Sequence, residues 1–142
     1  MAQLLRGNID FLADTGADIT TIMPDDRDRI GIARYAVVQG CPPTMLGIGG
    51  GTPIFYLHDV TLLFCGVDET THETIALPRI GVLWPPHASR RFYKGAPSLL
   101  GRDLLCRGRL EISEVGVFFD VDQADEASRR PSEDTPPLLT AS

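Results

Sequence analysis

Asp14 stands between the apolar residues Phe11-Leu12-Ala13 and the run Thr15-Gly16-Ala17-Asp18. Phenylalanine and leucine favour an extended, buried segment, and Thr15-Gly16 breaks it with a turn. Asp14 is therefore expected at a strand end, its carboxylate aimed into a cleft. A carboxylate held there can act as a base or an acid. Amide hydrolysis without a metal or a covalent intermediate needs one of each beside a single carbonyl. Two adjacent carboxylates sharing a proton provide both, and Asp14 supplies half of such a pair.

Two more runs follow in order: Met45-Leu46-Gly47-Ile48-Gly49-Gly50-Gly51, then Leu99-Leu100-Gly101-Arg102-Asp103-Leu104-Leu105. The glycine run is no phosphate loop, because no Lys-Ser/Thr follows it and a strand pattern comes next rather than a helix. A glycine-rich hairpin tip fits better, with Ile48 as its apolar end. With Asp14-Thr15-Gly16-Ala17-Asp18, these landmarks make the chain, from about residue 4 to 120, resemble the retropepsins, the retroviral-type aspartic proteases. The resemblance implies an all-β fold: a closed retropepsin-like acid-protease barrel with one short C-terminal helix. It also implies a homodimeric aspartic endopeptidase acting on a peptide or protein substrate. The alternative is a non-catalytic interaction or dimerisation domain with the same fold.

Within that resemblance Asp14, Thr15 and Gly16 form the catalytic loop. Asp14 would face its own copy across a two-fold axis, Thr15 would hydrogen-bond across that axis, and Gly16 would leave room for the substrate backbone. Like charges about 3 Å apart do not both ionise easily, so one proton leaves at low pH and the other is held higher; aspartic proteases are the usual example. Ala17, Asp18, Gly47, Ile48, Gly49 and Gly50 are the expected substrate-binding positions, the glycines as a flap. Asp18 would pair with Arg102, whose planar guanidinium meets a carboxylate through two parallel bonds. Gly101 would let the helix pack under the loop. Trp84, Phe92 and Tyr93 either line a subsite or pack as satellite core, and Ala13, Ala17 and Ile80 are expected to border the cleft.

The chain has 142 residues. That is enough for one domain with a core and too little for two catalytic lobes. The domain is expected over residues 1–121, with a disordered Pro-rich tail at 122–142. Asp14 lies close to Met1, which leaves little room for the N-terminal strands that the resemblance implies ahead of it. A net charge of −6, with Arg90-Arg91 as a lone basic pair, argues against nucleic acid as partner. No apolar run reaches the length of a membrane span and no leader pattern opens the chain, so a cytoplasmic protein without membrane partner is expected. Cys41, Cys65 and Cys106 are odd in number and lack metal spacing, so they read as reduced and mostly buried. His58, His72 and His87 are scattered and read as surface residues; neither metal nor cofactor is expected.

The elements that position these residues are visible as patterns. Residues 4–12 carry a hairpin signal at Gly7-Asn8, and the second arm delivers Asp14. Ile19 to Met23 continue extended, and a short helix begins at Pro24 with acids ahead of basic residues. Residues 52–64 read as a long strand, and 74–83 as another, with Pro78 restricted to an edge or bulge. A Pro- and Gly-punctuated loop spans Trp84 to Pro97. Ser98 is expected to cap the helix running to about Cys106, with Gly108 near its end. Residues 109–119 read as a closing hairpin.

Overall fold

The computed structural model describes residues 7–47, 50–66 and 68–121. Its elements are β1 (Phe11–Ala13), β2 (Thr21–Ile22), α1 (Pro24–Ile30), β3 (Val38–Gly47), β4 (Gly50–Cys65), β5 (His72–Leu83), β6 (Ser98–Leu100), α2 (Arg102–Leu105), β7 (Gly108–Ser113) and β8 (Gly116–Val121). Short 3-10 helices occupy Arg34–Ala36 and His87–Tyr93.

The long strands β4 and β5 are rich in Ile, Val, Leu, Thr and aromatics, which suit a pleated, half-buried surface. They pair antiparallel from Ile54 opposite Leu83 to Cys65 opposite His72. The ladder breaks where Pro78 has no N–H to give: Arg79 pairs with His58 and Leu77 with Val60, while the intervening Asp59 turns to φ +53°. The register is the same on both sides, so Pro78 makes no bulge; among the described residues β2 reaches β5 only at Gly81 and Val82, which leaves that side of β5 unpaired at Pro78. Alternation then sorts the side chains. Phe55, Leu77, Ile80 and Val82 join the main core with Ile22, Leu100 and Leu104. Ile54, Tyr56 and Leu83 form a second cluster with Met23 on the other face. Full burial of each aliphatic or aromatic side chain contributes roughly 1.5–3 kcal/mol.

Helix α1 begins with Pro24 at its first position, carries Asp25 and Asp26 in its first turn, and stops at Gly31 with φ +78°. Arg27, only 4% exposed, is satisfied internally: it donates to the Leu83 carbonyl at 2.9 Å, pairs with Asp28 and lies 4.0 Å over the Trp84 ring. That pins α1 to the end of β5.

The expected closed barrel is not found. The described strands make one open sheet in the order β1-β6-β2-β5-β4-β3, and β7-β8 stand apart as a two-stranded sheet. Closure would require β1 to pair with β3. Instead β1, β2 and β6 are two or three residues long, too short to carry the continuous staggered ladder a barrel needs. The ladder of β3 is also interrupted, passing from Gln39 opposite Phe55 directly to Thr44 opposite Pro53 across Pro42-Pro43. The class remains loosely all-β, but α1 stands beside the expected C-terminal helix.

Two boundaries also move. Residues Ser98–Leu100 are strand, because they pair with β1, so α2 starts after Gly101 and Ser98 caps nothing. Gly108 opens β7 instead of ending the helix. The closing hairpin is present as β7-β8. Cys65 and Cys106 are free and exposed, not buried, and Ile80, 1% exposed, belongs to the core and not to a cleft rim. The three histidines are exposed. The first arm of the Gly7-Asn8 hairpin, the flap residues Ile48 and Gly49, and the tail 122–142 lie outside the described residues.

Candidate functional site

β1 runs parallel to β6, with Phe11 opposite Ser98, Leu12 opposite Leu99 and Ala13 opposite Leu100. The Asp14 amide extends that ladder, donating to the Leu100 carbonyl at 3.0 Å. The chain then turns: the Ala17 amide donates to the Asp14 carbonyl at 3.2 Å, and the Gly16 amide donates to Asp14 Oδ1 at 2.9 Å. A carboxylate that accepts from the backbone two residues on fixes its own rotamer. Position 16 is tight, because a Cβ there would meet that oxygen at 3.1 Å. Asp14 and Ala17 are half-buried, and Thr15 and Gly16 are exposed.

Behind the loop, the first amides of α2, which have no partner within the helix, are taken by loop carbonyls. The Arg102 amide donates to Ala17 at 2.8 Å and the Asp103 amide to Asp18 at 3.2 Å. Gly101 permits this approach, since a Cβ on it would lie 2.5 Å from the Ile19 carbonyl carbon and 2.7 Å from the Thr20 nitrogen. Arg102 Nη2 donates to Asp18 Oδ1. That hydrogen bond, and then the Asp18 charge, raise the guanidinium pKa further, so Arg102 is cationic at any working pH. The pair is nevertheless open to water, with side chains 57% and 76% exposed, and exposed pairs add little.

The stronger brace was not evident in the sequence. Asp103 Oδ1 accepts from the Thr20 amide at 2.9 Å, the Thr20 hydroxyl at 2.7 Å and the Leu104 amide at 2.9 Å. Thr20 Oγ1 in turn accepts from the Gly101 amide at 3.1 Å, and Thr20 is fully buried. The loop's far end is thus locked by a charge-assisted network. Its only advance signal was an acid in the first turn of a short helix, which many solvated helix starts share.

The β3-β4 hairpin pairs as far as Gly47 opposite Gly50; this ladder, and not the Asp14 loop, sets the position of those two glycines. Close to its tip, two pairs below Gly47 and Gly50, it is tied to the segment before β6 by a hydrogen bond between Thr52 Oγ1 and the Tyr93 hydroxyl. That segment is anchored to α1 as well: the Gly95 amide donates to Asp25 at 2.8 Å and Ser98 Oγ to Asp26 at 2.7 Å. Of the three candidate subsite aromatics, Trp84 packs edge-on to Phe55, Tyr93 joins the second cluster and Phe92 is exposed.

The structure therefore gathers Asp14, Thr15, Gly16, Ala17, Asp18, Gly101 and Arg102 around one turn. An open depression of about 480 Å³ is lined by Ile19, Pro78, Asp103 and Arg107 and by none of the residues so gathered. Such an arrangement presents one firmly oriented carboxylate at a surface, which can accept a proton or hydrogen-bond a water. Among the described residues no group of three or more His, Cys, Asp or Glu side chains is placed to hold a metal, and no helix is long and apolar enough to cross a membrane. No protein-family model and no curated protein matches the chain.

Proposed function

We propose that the chain is half of an aspartic endopeptidase of the retropepsin kind, working as a homodimer in which Asp14 of each copy shares one proton. One carboxylate takes a proton from water as that water attacks the scissile carbonyl, and the other protonates the leaving nitrogen. The observation that carries this reading is the fixing of Asp14: ladder hydrogen bond behind it, Gly16 amide on its carboxylate, and the turn bolted to α2 on its far side. Such rigidity has a use when a reacting group must be held within a fraction of an ångström.

The substrate is an extended, mainly apolar peptide lying as an added strand beneath the β3-β4 hairpin, where backbone bonds give affinity and alternate side chains fill pockets. Glycines at the hairpin end suit a cover that opens and closes. Exposed free thiols at Cys65 and Cys106 fit a reducing compartment such as the cytoplasm. The test is cleavage of an extended-peptide library by the purified chain and by Asp14→Asn. Cleavage by the parent and none by the variant supports the reading; equal cleavage by both refutes it. A non-catalytic interaction domain of the same fold is the second reading; Thr15 and Gly16, exposed in the single chain, would have to be covered by a partner copy in the first, and a chain that stays monomeric with peptide present favours the second.

A further inference from the structure

Charge is unevenly placed along the chain. Asp and Glu outnumber Lys and Arg by 19 to 13, yet the segment between β5 and β6, residues 84–97, holds Arg90, Arg91 and Lys94 and no acid. It is tied down at three points: Arg90 pairs with Asp28 of α1, the Tyr93 hydroxyl bonds Thr52 near the tip of the β3-β4 hairpin, and the Gly95 amide donates to Asp25. The acids of α1 are already engaged, Asp26 with Arg29, Asp28 with Arg27 and Arg90, and Asp25 with the Gly95 amide. Arg91 and Lys94 are exposed and, among the described residues, pair with no carboxylate. The Arg91 guanidinium lies 5.0 Å from the ring of Phe92, itself 72% exposed, and stacking of that kind leaves the planar fork free to meet a carboxylate. Two unpaired cations on an anchored segment attract an anion locally even though the protein as a whole is negative.

We propose that Arg91 and Lys94 select the substrate, favouring peptides that carry Asp or Glu a few residues away from the scissile bond, an inference that rests on the protease reading. The place of the segment supports a substrate contact. It is bonded close to the hairpin tip and then runs into β6, which pairs with β1 and whose Leu100 carbonyl holds the Asp14 amide. It therefore joins the hairpin to the strand beside Asp14, and a peptide lying beneath the hairpin passes along it. Lys94 precedes Leu100 by six residues, a span of at most about 20 Å, which an extended peptide covers in about six residues. The acid is thus expected within that distance of the bond, outside the apolar residues nearest to it. In a two-fold dimer one such segment stands toward each end of the peptide, so an acid is favoured on either side. A peptide with single acids suits the site better than a nucleic acid, whose dense charge the net −6 of the chain repels.

The test takes one peptide that the full-length protein cleaves and remakes it with Glu or with Gln at each position out to about six residues on both sides of the bond. At one or more outer positions Glu should raise kcat/KM about 5-fold over Gln, mainly through KM. That gain should vanish near 1 M salt, where the screening length is about 3 Å. The double variant Arg91→Glu, Lys94→Glu should invert the order, preferring Lys to Gln at the same positions, whereas Arg109→Glu, a charge change at an exposed site on β7, should keep the parent's order. Each comparison is a ratio between peptides on one protein, so a smaller folded fraction cannot mimic it, and the salt dependence of the unmodified protein answers without substitution. Equal cleavage of Glu and Gln peptides at every position, or a double variant that still prefers Glu, overturns this inference and leaves the protease reading standing. An oligonucleotide that competes more strongly than the Glu peptide overturns the choice of ligand. A parent that cleaves no peptide at all overturns both readings.

Discussion

At Asp14, position and orientation are separable. The β1-β6 ladder sets the position and the Gly16 amide sets the orientation. Asp14→Asn keeps the shape and an acceptor oxygen but cannot exchange the proton, so peptide cleavage should fall by at least about 10³-fold while the melting midpoint stays near the parent's. Steady-state kinetics beside a thermal melt decide it. Thr20 shows the opposite pattern, since its hydroxyl connects Asp103 to the Gly101 amide inside the protein. Thr20→Val should cost about 1–3 kcal/mol by leaving buried polar groups unpaired, a fall of roughly 3–10 °C in melting midpoint. Asp14 was legible because a strand followed by Thr-Gly is a local pattern. Thr20 was not, because its partner is 83 residues away, and nothing local tells a buried threonine from a surface one.

Among the elements, the α2 junction is the most constrained. Gly101→Ala places a methyl against the backbone of Ile19 and Thr20, which cannot swing aside as a side-chain end can. The expected penalty is about 1–3 kcal/mol together with reduced cleavage, since the helix amides would be pulled from the loop carbonyls. The turn joining β4 to β5 makes a pH-dependent contribution. Asp68 accepts from the Thr71 hydroxyl first, then from the Thr71 amide and from Thr70, and these bonds hold its carboxyl well below the usual carboxylate range. A depressed folded-state pKa means stability that is present above the unfolded value of about 3.9 and is lost as pH falls through the folded one. Asp68→Asn should therefore melt below the parent at pH 7, and the gap should close at strongly acid pH; a gap independent of pH would contradict this. The long strands β4 and β5, α1 and the closing hairpin were readable from their own residues. The strand character of Ser98–Leu100 was not, because it exists only through pairing with β1.

For the whole molecule, the barrel expected by resemblance fails on strand length and on the Pro42-Pro43 interruption, both of which are visible only once register is known. What survives is an open sheet with the Asp14 loop near one edge and an apolar hairpin left uncovered. If two copies bring their Asp14 residues together, kcat/KM should follow a bell-shaped pH profile with an acid optimum, since the pair works only while it holds a single proton; a rate that rises steadily through neutral pH would rule out the shared proton. The decisive quantity is the separation of the two Asp14 carboxylates in a crystal structure of the protein bound to an uncleaved peptide analogue. Two copies with carboxylate oxygens about 3 Å apart are expected, and a complex that binds the peptide with one copy alone, or with the two carboxylates too far apart to share a hydrogen, would contradict the assignment.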